Sequence, residues 1–252
     1  SDWVLRLQGE RPDDPDAAYA PGRVAELREH AARGIGLHTF EGGDVQQGWQ
    51  IHPKGRMRVQ VRETGAMLSV PKHPEQSDVF FYYFVDPVAL GHVLEVSVDL
   101  AVHDAEDHNI GLIFYKSTSK GLQGELSIGR GLKNRLVYRL KDRKNAAEEY
   151  RWKPVLEDPD DEESARPWPA EAGEFVRLTL RRSTGLDEGG RPVKAGTFDV
   201  FVNDELVLPR VEISTFRNPA DKYSIGIVGS GAFNLSWKAE VRSARMVLRI
   251  RR

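Results

Sequence analysis

Cysteine is absent from the 252-residue sequence. That removes disulfide frameworks, thiolate metal sites and cysteine nucleophiles, and leaves the redox compartment open. An excess of one charge is lacking too, since 36 Lys and Arg stand against 38 Asp and Glu for a net charge of −2. No global field then draws the chain to nucleic acid or an anionic membrane, and neither is an expected partner. Long apolar runs are missing as well: "VFFYYFV" at 79–85 falls far short of the ~20 residues a membrane-spanning helix needs, so no membrane insertion is expected. No basic-then-apolar leader stands ahead of it, and the chain reads as part of a larger protein whose other domains are expected partners. Phosphate loops, dinucleotide fingerprints, HExxH and Ser-His-Asp spacings do not occur.

The chain does contain two kinds of periodicity. In residues 1–38, Pro21 stands like a first-turn residue, Val24, Leu27 and Ala31 recur at helical spacing, and Gly34 marks a stop. This predicts a helical extension of about three turns with one apolar face. The alternative is a helix that links or binds a partner.

From residue 39 to 252 the period is two. "VLEVSVDLAV" at 93–102 sends Leu94, Val96, Val98, Leu100 and Val102 one way, and Glu95, Ser97, Asp99 and Ala101 the other. Similar runs follow about every ten residues, with Gly, Asn and Asp at the corners and almost no helical pattern between them. In "GTFDVFVNDELVL" at 196–208, Asn203 and Asp204 suit the positive φ of a two-residue hairpin turn. The expected fold class is all-β, a sandwich of two antiparallel sheets following the helical extension. One excursion, residues 142–172, carries an acidic run and four prolines. A segment this long in a compact domain is usually either mobile or functional.

The order of these features resembles the concanavalin A-like lectin/glucanase superfamily in its laminin G-like bacterial versions. "FEGGDVQQGWQI" at 40–51 resembles the acidic, Gly-rich opening of many such domains, and "VRETGAMLSV" their next hairpin. "LEVSVDLAVHDAEDHNIGLIFY" resembles the paired central strands. "GEFVRLTLRRS" with "GTFDVFVNDELV" resembles the back strands, and "YSIGIVGSGAFNLSWKAEVRSARMVLR" the closing pair. The resemblance covers roughly residues 39–251 and implies a jelly-roll sandwich, with ligands on a concave face or on loops at one rim.

It also implies where chemistry would sit. Glycosidases of this fold carry E-x-D-x-E on one face of a central strand, two carboxylates sharing the acid and nucleophile roles. The match is Glu95-Val-Ser97-Val-Asp99, with its middle acid replaced by Ser and its last by the shorter Asp. Alternation alone also puts polar residues there. Asp104, Asp107 and Asn109 in "HDAEDHN" offer the hard oxygens that calcium takes, although a plain polar turn has the same composition. Calcium is therefore the cofactor to test. His103 and His108 match no zinc spacing. For a glycan ligand the stacking platforms would be Tyr82, Tyr83, Tyr115, Trp152 and Trp168, whereas Trp49 and Trp237 read as packing residues. The acidic run at 157–163 and the arginines from Arg242 to Arg252 read as solvated surface, with cation and phosphate binding as their functional alternatives.

The leading expectation is a non-catalytic module that binds a carbohydrate or cell-surface polymer, in an extracellular or periplasmic bacterial protein. A glycoside hydrolase using Glu95 and Asp99 is the second reading, and an adhesion module with no small ligand the third.

Overall fold

The computed structural model describes residues 35–41, 49–52, 58–62, 65–71, 80–84, 88–104, 108–118, 121–141, 151–187, 189–194, 196–213, 222–231 and 236–249. The expected helix over residues 21–34 lies outside them. The strands in chain order are β1 (Ile35–Glu41), β2 (Trp49–His52), β3 (Arg58–Arg62), β4 (Gly65–Val70), β5 (Phe80–Phe84), β6 (Val88–Ala89), β7 (Val93–Asp104) and β8 (His108–Thr118). They continue as β9 (Gly121–Gly131), β10 (Arg135–Lys141), β11 (Lys153–Pro154), β12 (Phe175–Arg182), β13 (Thr197–Val202), β14 (Glu205–Glu212), β15 (Lys222–Gly231) and β16 (Trp237–Arg249).

Two antiparallel sheets result. Sheet I runs β14-β13-β12-β7-β16-β4-β3, with β1 also on β16; sheet II runs β11-β10-β9-β8-β15-β5-β2, with β6 also on β15. The layered all-β architecture is the one the alternation predicts. Pleating turns each half-apolar strand into a one-sided surface, and the two apolar sides meet. Val96, Val98 and Leu100 of β7, Leu178 and Leu180 of β12 and Phe198 of β13 share one buried cluster with Leu112 and Phe114 of β8, Leu126 and Ile128 of β9 and Tyr223 of β15. Each such side chain contributes about 1.5–3 kcal/mol on burial. Phe114 meets Phe198 edge-on across the gap, with ring centroids 5.4 Å apart.

Asn203 and Asp204 take φ of 48° and 66° and close the β13–β14 hairpin, as their chemistry predicts. Strand β14 is an edge strand, and Pro209 with Arg210 at φ 51° breaks its regularity, which discourages pairing with another chain.

Three features differ from the simple reading. The first sheet already has a strand at Ile35, ahead of position 39. The segments "WKAEV" and "ARMVLR" form one continuous strand, β16, because Arg242 and Ser243 make a bulge instead of a corner. The second half of the 142–172 excursion is stitched to sheet II: Val155 N–H donates to Leu136 O (2.9 Å), and Trp168 N–H to Asn134 O (2.8 Å). Its acidic stretch is a solvated turn that caps itself, with Asp158 and Asp161 accepting from the backbone N–H of Asp160 and Glu163.

Candidate functional site

Each sheet has an outer face, and the pleat decides what appears there. On sheet I, register sets Arg177 of β12 opposite Asp99 of β7, and Arg181 opposite Glu95. Arg177 Nε donates to Asp99 Oδ1 at 2.9 Å, and Arg181 Nε to Glu95 Oε2 at 2.7 Å. From the other side, Ser243 Oγ donates to Asp99 Oδ2 at 2.8 Å, and Arg242 Nη2 reaches the same oxygen at 3.5 Å. Asp99 is 5 % exposed. Burial alone would raise its pKa, but the hydrogen bonds from Arg177 and Ser243 and the two guanidinium charges outweigh it and hold the carboxyl below its ordinary value. Glu95 and Asp99 therefore each face a guanidinium of the same sheet.

The outer face of sheet II is a different environment. Glu125 of β9 is 1 % exposed, Ser127 0 % and Arg139 of β10 4 %. Arg139 Nε donates to Glu125 Oε1 at 2.7 Å, and Ser127 Oγ donates to that same oxygen. The indole of Trp152 lies over the guanidinium, 4.8 Å from ring centroid to Cζ. Beside this stack, Ile113, Tyr115 and Val228 form a small buried cluster that Trp152 covers in part. Next along β9, Gly129 faces Gly111 of β8 in register. A Cβ at Gly129 would stand 2.1 Å from the carbonyl oxygen of Ile110, so the two backbones leave no room for a side chain.

The sequence-derived positions therefore separate. Trp152 stands half-buried at the Glu125–Arg139 pair. Tyr115 is on the same face but only 6 % exposed, and Trp168, 4 % exposed, belongs to the core and offers no stacking surface. Tyr82 and Tyr83 lie on β5 opposite Ile227 and Gly226, with side chains outside the described residues. Asp104 ends β7 and Asn109 is in β8, while Asp107 is outside the described residues. Burial lowers the pKa of Arg130, and the charge of Asp104 acts against that shift. Among the described residues no three His, Asp or Glu gather as a metal site.

Glu125 and Arg139 escaped the sequence reading. The signal was there in "GELSIG", where Glu125-x-Ser127-x-Gly129 has the same spacing as the strand of acids sought in Glu95–Asp99. Two of its three acids are missing, against one in its rival, so it scores lower.

No family model and no curated protein sequence matches the chain. Solved structures are similar to it. Crh5 transglycosylase in complex with NAG aligns with a TM-score of 0.54 at 12% identity over 83% of each chain. A protein of unknown function with a galectin-like fold from Bacillus subtilis aligns at 0.52 and 14% identity, over 85% of this chain and 96% of that one. SCLam, a non-specific endo-β-1,3(4)-glucanase from family GH16, aligns at 0.54 and 11% identity, over 86% and 92%. Identities this low report architecture alone. That architecture, two stacked antiparallel sheets, is a jelly-roll sandwich, the fold the chain has in common with these structures.

Proposed function

We propose that the chain is a non-catalytic carbohydrate-binding module whose ligand rests against Trp152 on the outer face of sheet II. One observation carries this reading. Among the described residues Glu125 is the only acid on that face, and its carboxylate is already bonded to Arg139 and Ser127. Glycosidases work with two carboxylates, one of them free to give a proton. The position four residues on, where a second acid would stand, is Gly129, with no space for a side chain. The Arg139–Trp152 contact suits binding instead. It fixes the indole's orientation, and a fixed apolar ring stacks a pyranose at little entropic cost. The carbohydrate assignment leans on the fold, shared with a transglycosylase and a glucanase.

The hydrolase reading through Glu95 and Asp99 has less in its favour. A carboxyl held ionised by Arg177 is a poor proton donor. A place outside the cytoplasm, within a larger bacterial protein, follows as part of the proposal.

The test is a broad glycan panel with the wild-type chain and Trp152→Ala. Wild type binds an oligosaccharide, the variant binds it about tenfold more weakly, and no reducing ends are released. Release of reducing ends that stops on Glu125→Gln would establish hydrolysis in its place. A blank panel would favour an adhesion role.

A further inference from the structure

On the three central strands of sheet I, charge is sorted by depth. Among the described residues, the outward positions of β12, β7 and β16 expose Arg177, Arg181, Lys238 and Arg242, and one acid, Asp104, opposite Lys238 at the end of β7. The other acids at these positions, Glu95, Asp99 and Glu240, have side chains only 19%, 7% and 10% exposed. Away from that end, cations form the upper layer and carboxylates the lower one.

The guanidiniums are also held in place. Arg177, Arg181 and Arg242 keep 50%, 51% and 52% of their side chains in solvent. Each is tied at its inner edge to a carboxylate, Arg177 through Nε and Nη2, Arg181 through Nε, and Arg242 through Nη2. Arg181 lies over the ring of Phe201 at 4.6 Å and Arg242 over Phe175 at 4.3 Å. A guanidinium carries five N–H donors, so each keeps donors that its carboxylate does not use. Anchoring removes much of the side-chain entropy that an arginine usually loses on binding. Strand geometry spaces Arg177 and Arg181 about 13 Å apart along β12, with Arg242 about 10 Å across the sheet.

We infer that this outer face of sheet I is a second binding surface, for an extended anionic polysaccharide bearing carboxylate groups. The inference rests on the carbohydrate-binding proposal above and names a ligand class for a different face. Planar carboxylates match the guanidinium fork, and a chain with repeated charges can engage anchors set about 10 Å apart on an open sheet. Asp204 lies near Arg177, at the β13–β14 turn, and marks the end of the cationic strip. The overall charge of −2 argues against nucleic acid as the occupant.

The experiment is affinity electrophoresis of the whole chain in gels containing polygalacturonate or its methyl-esterified form. The variant Arg181→Gln/Lys238→Gln leaves Arg177, Arg242 and Ser243 on buried Asp99, so the fold is retained, and its melting curve is recorded alongside. Wild type is retarded by polygalacturonate and not by the ester, and the double variant binds about tenfold more weakly. Trp152→Ala keeps wild-type retardation. Equal retardation by both polymers, equal retardation by polyphosphate, or a double variant that binds like wild type would each overturn the inference. A glycan panel that remains Trp152-dependent in any of those cases leaves the first proposal standing, whereas a blank panel removes it separately.

Discussion

Burial alone would keep Asp99 protonated into the range of ordinary carboxyl groups or above, yet Arg177, Ser243 and Arg242 hold it ionised. Its folded pKa is lower than its unfolded one. The resulting stability is complete above about pH 4 and is lost as pH falls through the folded value. Asp99→Asn keeps the shape and removes the charge. Because both arginines are half-exposed, the loss near neutrality should be about 1 kcal/mol, shrinking toward zero in strong acid. Urea denaturation of wild type and variant at pH 7 and near pH 2 reads the gap directly; an equal gap at both would mean that ionisation contributes nothing. Gly129 presents the opposite situation, where absence of a side chain is the requirement. With backbone atoms of Ile110 and Gly111 inside contact distance of any added Cβ, Gly129→Ala must push β8 and β9 apart. The expected cost is about 3 kcal/mol, visible as a lower denaturation midpoint. A midpoint like that of wild type would mean the strands can separate freely.

Among the elements, alternation made the long strands legible. In "VLEVSVDLAV", "NIGLIFYKS" and "TFDVFVN" every second residue is strongly apolar, and these became β7, β8 and β13. The short strand β11 has no such pattern, because two residues cannot show a period, and what positions it is pairing with β10. The bulge in β16 hides for a related reason: "RS" at 242–243 reads like a polar corner, and only the sheet on both sides of it keeps the strand running. Site residues were harder to read than strands. Alternation tells that Glu125 and Glu95 leave the core, but which carboxylate finds a guanidinium depends on neighbours distant in sequence, such as Arg139 and Arg181. Trp168 shows the same limit. Its Pro-rich surroundings suggest a surface loop, yet the N–H of Trp168 bonds to Asn134 and its ring fills the core. Trp168→Ala should therefore cost about 3–5 kcal/mol as a drop in melting temperature, with glycan affinity unchanged in the fraction still folded. A variant that melts normally and loses ligand would reverse the assignments of Trp152 and Trp168.

At the scale of the whole molecule, the two sheets carry different outer surfaces and share one interior. Sheet I shows anchored cations, sheet II a covered acid–guanidinium pair, and neither face would hold its geometry if the layers slid. What opposes sliding is interdigitation between them. Phe114 of β8 and Phe198 of β13 come from different sheets, and both are 0 % exposed, with ring planes at 66°. Phe114 also touches Tyr223 of its own sheet at 5.4 Å. Cutting either phenylalanine to alanine removes buried area and leaves a cavity, for about 3–5 kcal/mol each. If the rings stabilise each other across the gap, the double variant should lose less than the two single losses added together. The shortfall expected for an edge-to-face pair is about 0.5–1.5 kcal/mol. Equilibrium denaturation of the wild type, both single variants and the double closes the cycle. Strict additivity would mean that the layers are held by area alone, with no specific contact fixing one sheet against the other, and the faces they present would then be free to shift in register.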